Sequence, residues 1–131
     1  MSKFLTLIRL VAAIPLLLIG IQHVTGAAPM LPILTGASLP EPELTAQFAP
    51  FLEVAGGALL LLGLFARFGA LLAVGSMVGA LVAHLRFDHT QFEWPDEPPI
   101  ALPIAILVCA LIVLAMGPGA FALRGKKGSP D

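Results

Sequence analysis

Long apolar stretches, separated by polar or proline-rich connections, dominate the chain. Four stretches reach or approach the length of a membrane-crossing helix, and they cover residues 4–22, 50–65, 69–85 and 100–116. Such a helix needs about 20 mostly apolar residues, so the second stretch is short unless it extends to residue 68. The pattern predicts an all-α membrane protein, with a bundle of four transmembrane helices in one domain over residues 1–120.

The composition supports a bilayer as the solvent. Apolar residues make up 58% of the chain and charged residues 11%, against about 45–50% and 25% in soluble domains. The glycines lie inside apolar helices, so no phosphate-binding loop is predicted, and neither a nucleophile elbow nor a basic patch for nucleic acid is present. We therefore expect lipid, and no nucleic acid, as a partner.

The basic residues indicate an orientation. If all four stretches cross the membrane, one side carries Lys3, Arg67, Arg124, Lys126 and Lys127, while the other carries only Arg86 together with six acids. Lys and Arg near membrane ends stay in the cytoplasm. Both termini, including a tail over residues 121–131, are therefore expected in the cytoplasm.

The first stretch also has features of a signal peptide, with an early lysine and small residues near position 26. Arg9 and Pro15 interrupt the apolar run that a cleaved signal would have. We expect a retained first helix over residues 4–23. Arg9 then lies near its cytoplasmic end, where it either extends to the headgroups or contacts a buried carboxylate or carbonyl.

The connections predict the arrangement of the helices. Four prolines prevent one helix from crossing the outer loop of residues 24–49, which is expected to cover the mouth of the bundle and to hold a short helix at about 40–48. A tight turn at residues 66–69 makes the second and third helices antiparallel neighbours. The second outer loop, residues 86–99, is acidic, aromatic and rich in proline.

Small residues at helical spacing predict close helix contacts. In the second stretch, Glu53, Gly56, Gly57 and Leu60 share one face, and in the first stretch Gly20 shares a face with Arg9. Further small faces are predicted in the third and fourth stretches: Gly69, Ala73, Ser76 and Ala80, beside Gly75, Gly79 and Ala83, and then Ala101, Ala105 and Cys109. Cys109 is the only cysteine, which excludes a disulfide within one copy of the chain.

The topology brings three ionisable residues to the outer end of the bundle: His23, Glu53 and His84. Ionisable residues inside a membrane are costly and often functional. Two imidazoles and a carboxylate could bind a metal ion, although no ligand-spacing motif supports a metal site. They could instead donate hydrogen bonds and protons to a quinone headgroup, or form a structural network that closes the mouth.

The ordered set of features resembles the DoxX family of small four-helix membrane proteins. It comprises Arg9, Pro15, Gly20 and His23, the stretch at 49–67, His84, Glu97 and the glycines around Pro118. The chain departs from the family after that point, where Phe121-Ala122-Leu123-Arg124 stands in place of a common Ser-Leu-Asp.

The resemblance implies a bacterial inner-membrane protein connected with membrane redox chemistry. Some relatives resemble subunits of a thiosulfate:quinone oxidoreductase, and others act with proteins that handle thiols or superoxide. The leading hypothesis is therefore an accessory or quinone-interacting subunit of a redox system. The alternatives are a non-catalytic scaffold and a small-solute transporter, which would need a homo-oligomer because four helices enclose little space.

Overall fold

The computed structural model describes residues 2–94 and 97–117. It contains the helices α1 (Ser2–Thr25), α2 (Leu31–Gly36), α3 (Pro42–Leu62), α4 (Ala66–Arg86) and α5 (Ala101–Met116). These ranges hold no strand, so the all-α prediction is confirmed for them. The predicted tail at residues 121–131 lies outside the described residues.

Three of the helices are long and apolar enough to cross a membrane: α1 from Lys3, α3 and α4. The fourth predicted span corresponds to α5, which has 16 residues. At 1.5 Å per residue it is about 24 Å long, somewhat shorter than a hydrocarbon core of about 30 Å.

Large apolar side chains cover the outside of these helices. Phe4, Leu18, Phe51 and Leu71 are each between 53% and 60% exposed. In water such a surface would be strongly unfavourable, whereas lipid chains solvate it without cost. The exposed surface therefore agrees with a membrane environment.

Four helices pack in a ring. α1 contacts α3 and α5, and α4 contacts the same two helices from the other side. Each helix contributes a fully buried side chain to the central core, as shown by Leu16, Leu60, Met77 and Ile106. The ring has two ends. The turn end carries the α3–α4 turn, and the loop end carries the α1–α3 and α4–α5 connections.

The boundaries of α3 differ from the prediction. The expected short helix at 40–48 and the expected span at 50–65 form one helix, with Pro50 buried inside it. Proline removes one backbone hydrogen bond, but packed neighbours let membrane helices tolerate this loss. The turn lies at residues 63–65 rather than 66–69, because Gly63 takes a left-handed conformation with φ 72° and caps the carbonyls of Leu59 and Leu60.

Close contacts between helices depend on glycines. A Cβ atom placed on Gly57 would lie 2.8 Å from the backbone of Leu17 in α1, and one on Gly20 would lie 2.9 Å from the Val54 nitrogen in α3. Gly56 approaches α4 in the same way, because its Cβ would lie 3.2 Å from the Gly69 carbonyl oxygen. The structure thus places three predicted packing glycines where the backbones of neighbouring helices come closest.

Two other predicted small faces pack only in part. Gly75 and Gly79 of α4 are exposed, whereas Ala83 on the same face is buried. Ala101 and Ala105 of α5 are exposed, and Cys109 is half-buried. The face of α5 that enters the core carries larger side chains, including Ile106. The central core that these side chains enter is otherwise rich in alanine, and four of its alanines are fully buried: Ala12, Ala13, Ala70 and Ala73.

Arg9 is buried at the turn end, with 1% of its surface exposed. Its guanidinium donates hydrogen bonds to the carbonyl oxygens of Leu60, at 2.6 Å, and of Leu61, at 2.9 Å. These carbonyls lie in the last turn of α3, where helices lack internal donors and carry partial negative charge. Of the two alternatives for Arg9, the structure shows the contact with buried carbonyls.

The short helix α2 lies across the loop end and contacts both α3 and α4. Gly36 packs against the ring of Phe87, and the backbone nitrogen of Asp88 donates to the Gly36 carbonyl at 3.0 Å. The Arg86 guanidinium donates to the Ser38 carbonyl at 3.2 Å. The proline-rich connection is therefore fastened to the end of α4.

Candidate functional site

A cavity of about 700 Å³ occupies the loop-end half of the ring. α1, α3, α4 and the start of α5 form its walls, and the two long connections form its roof. It is lined by all three residues predicted from the sequence: His23, Glu53 and His84. His23 and Glu53 lie 4.0 Å apart, whereas His84 contacts Glu97 of the α4–α5 connection. Most of the remaining lining is apolar, as in typical pockets for organic ligands.

Glu53 is the most unusual residue of the cavity. It is 4% exposed, and its Oε1 atom is buried without a hydrogen-bond partner in the described part of the chain. The Nε2 atom of His23 lies 4.0 Å from that oxygen. This distance is too long for a hydrogen bond. An unpaired buried carboxyl oxygen is costly, so the site favours a guest that supplies the missing contact.

His23 is held by the roof. Its Nδ1 lies 2.5 Å from the carbonyl oxygen of Ala28. A carbonyl only accepts, so Nδ1 must carry hydrogen, and in a neutral ring Nε2 is then an acceptor. Nε2 faces Glu53 at 4.0 Å, so a polar group of a guest that lies against both side chains can exchange hydrogen bonds with them.

His84 is oriented from the other side of the cavity. Its Nδ1 lies 3.3 Å from Oε2 of Glu97, whose Oε1 is 2.7 Å from Nε2 of His89. The ring of Trp94 stacks on His84 with centroids 4.5 Å apart. The hydrogen bond to His89, helped by the contact with His84, lowers the pKa of Glu97. The α4–α5 connection is thus tied to the wall of the cavity.

Sequence reasoning assigned no site role to Trp94, His89 or Glu97. Trp94 belongs to the second outer loop, which the sequence describes only as acidic, aromatic and rich in proline, and it lines the cavity. Only the order of the helices could have indicated such a role. The α4–α5 connection joins two neighbouring helices of the ring, so it must pass close to His84 at the end of α4. Helical spacing alone carries no information about such a loop.

The histidine and carboxylate side chains that line the cavity do not form a metal centre. In residues 2–94 and 97–117, no three His, Cys, Asp or Glu side chains converge closely enough to hold an ion. The packing residues Arg9, Gly56 and Gly57 lie toward the turn end and do not line the cavity. The arrangement suits an organic molecule that has a polar group near Glu53 and an apolar remainder.

The helical ring, its apolar exterior and its three helices long enough to cross a membrane are typical of a polytopic membrane protein. The sequence model described as DoxX matches residues 4–86, a range that runs from α1 to the end of α4. The chain therefore belongs to the DoxX family, which confirms the resemblance noted from the sequence. No curated protein and no solved structure matches the chain significantly.

Proposed function

We propose that this DoxX protein binds a membrane quinone in the cavity and acts as an accessory, quinone-interacting subunit of a bacterial redox system. The observation that carries the proposal is the unpaired Oε1 of Glu53, buried in an apolar cavity opposite Nε2 of His23. A quinone headgroup offers carbonyl oxygens that accept hydrogen bonds from the proton-bearing member of this pair.

The proposal includes a role for protons. Reduction of a quinone to a quinol takes up two electrons and two protons. Glu53 and His23 lie where they could pass protons to the headgroup oxygens. The electrons would come from a partner redox protein, so this chain would bind and orient the headgroup rather than act as the reductant.

The proposed setting is the inner membrane, with α1, α3, α4 and α5 all crossing it and both termini in the cytoplasm. Lys3 at the start of α1 and Arg67 at the start of α4 support this orientation, because both lie at the turn end. The loop end with the cavity would then face outward. The short α5 would be accommodated by local thinning of the bilayer.

Trp94 offers a direct test, because it is the only tryptophan in a chain without tyrosine and it lines the cavity. A short-chain benzoquinone titrated into the purified protein should quench its fluorescence to saturation. Glu53→Leu should weaken binding by about tenfold to a hundredfold, the range for a lost hydrogen bond to a chargeable group.

The matched control is Glu43→Leu, which removes an exposed glutamate from the first turn of the same helix. It should leave the titration unchanged. Failure of the wild-type protein to bind the quinone would refute the proposal. The scaffold alternative, in which the cluster is only structural, would then be preferred.

A further inference from the structure

The face of α4 that meets α3 is in contact with α3 near the turn end and, in the described part of the chain, has no close neighbour near the loop end. At Leu72 the two helices touch, since a Cβ placed on Gly56 would lie 3.1 Å from the Leu72 Cβ. Gly75 and Gly79 follow Leu72 by three and seven residues, so they continue the same face toward the loop end. A Cβ on either glycine would have no neighbour within 4 Å among the described residues. From Leu72 toward the loop end, α3 and α4 therefore separate and leave a gap between them.

Contacts between helices bound this gap at both ends. Its lower edge is the contact of Gly56 with Leu72 and Gly69. Its upper edge is α2, which contacts both α3 and α4. From the start of α4, Gly75 is about 14 Å and Gly79 about 20 Å along the axis, which places both at the depth of the hydrocarbon core.

The gap joins the cavity to the lipid-facing surface. Leu71, Val78 and Leu85 mark the lipid-facing stripe of α4, with 53%, 48% and 76% exposed. Gly75 belongs to that stripe by its spacing, yet Gly75 and Gly79 both line the cavity. On the α3 side, Glu53 lines the same cavity, where its unpaired oxygen faces His23 of α1.

We propose that the gap between α3 and α4, lined by Gly75 and Gly79, is a lateral portal for the hydrocarbon tail of the ligand. The headgroup sits between Glu53 and His23, and the tail leaves through the portal into the surrounding lipid. The inference rests on the proposed function and names the ligand class more closely: an amphiphile that enters from the bilayer rather than from water.

Two probes separate the headgroup site from the portal. A tailless dimethoxy-methyl-benzoquinone needs only the headgroup site, whereas its decyl homologue needs a path for the tail. Both are titrated against Trp94 fluorescence with the full chain in lipid vesicles. Gly79→Leu places a branched side chain in the portal, so the decyl probe should bind about tenfold more weakly or worse, because the tail meets the new side chain.

The same variant should bind the tailless probe within about twofold of wild type. Gly75→Leu should reproduce the result from a second position, which protects the test if one variant folds poorly. The control is Val78→Leu, which enlarges a lipid-facing residue between the two glycines and should leave both titrations unchanged.

The outcomes distinguish the two proposals. If Glu53→Leu weakens both probes while both glycine variants bind both probes normally, the headgroup site stands and the portal is wrong. Equal loss of both probes in the glycine variants also refutes the portal, because leucine then fills the headgroup site. If neither probe binds wild type, the proposed function fails.

Discussion

At the scale of single residues, Glu53 shows how far spacing along a helix can predict a site. Its position on one face with Gly56 and Gly57 predicts a carboxyl beside a close helix contact, and the structure buries all three. Spacing could not predict that the carboxyl would stay unpaired. The distance of 4.0 Å to His23 depends on how α1 and α3 pack and on how the Ala28 carbonyl turns the imidazole.

The unpaired oxygen leads to a prediction about stability. Glu53→Leu removes a buried polar group without leaving a large void, so the free energy of unfolding without ligand should rise by about 1–3 kcal/mol. Thermal unfolding in one detergent measures the change, with Glu53→Gln as the polar control of equal size. A structural network around Glu53 would give the opposite sign, because losing the carboxyl would then destabilise the fold.

At the scale of helices, the sequence predicted which segments are helical better than where they begin and turn. The predicted span began at residue 50, but α3 runs through Pro50, since packed neighbours let a membrane helix tolerate the lost hydrogen bond. The small residues of α4 looked alike in sequence, yet Gly69 packs on α3 while Gly75 and Gly79 border open space. Only the separation of α3 and α4 distinguishes them.

This difference predicts opposite effects for the same substitution. Gly57→Ala should destabilise the protein by about 1–3 kcal/mol, because the new methyl group overlaps the backbone of Leu17. Gly75→Ala should stabilise it by up to about 1 kcal/mol, since alanine favours the helix and the space is open. Thermal unfolding of both variants tests the glycine assignment, and equal effects of the two would contradict it.

The connection from α4 to α5 should respond to acid. The hydrogen bond from His89 lowers the pKa of Glu97 below its ordinary value of 4.5. A carboxyl with a lowered pKa stabilises the fold above its ordinary pKa and loses that contribution as the pH falls through the lowered value. The emission of Trp94, which stacks on His84, should therefore shift to longer wavelength below about pH 4.5.

Glu97→Ala serves as the control for this transition. It should give the shifted emission already at neutral pH and show no further step in acid. A wild-type emission that stays constant down to the onset of global unfolding would mean that Glu97 does not hold the connection against the cavity wall.

At the scale of the whole molecule, hydropathy and the DoxX resemblance predicted the helical membrane protein. They could not predict the cavity, which results from three arrangements between elements. α3 and α4 separate above Leu72, α2 is fastened to the end of α4, and Trp94 folds back onto His84. Each depends on contacts between segments far apart in the chain, so no local pattern specifies them.

The central claim is that the cavity holds a quinone through Glu53. Native mass spectrometry of the full chain, extracted in mild detergent from its own membrane, tests it most directly. We predict a bound species with the mass of a membrane quinone on wild type and on Glu43→Leu, and its loss from Glu53→Leu. An empty wild-type protein, or a quinone that remains bound after Glu53→Leu, would contradict the claim.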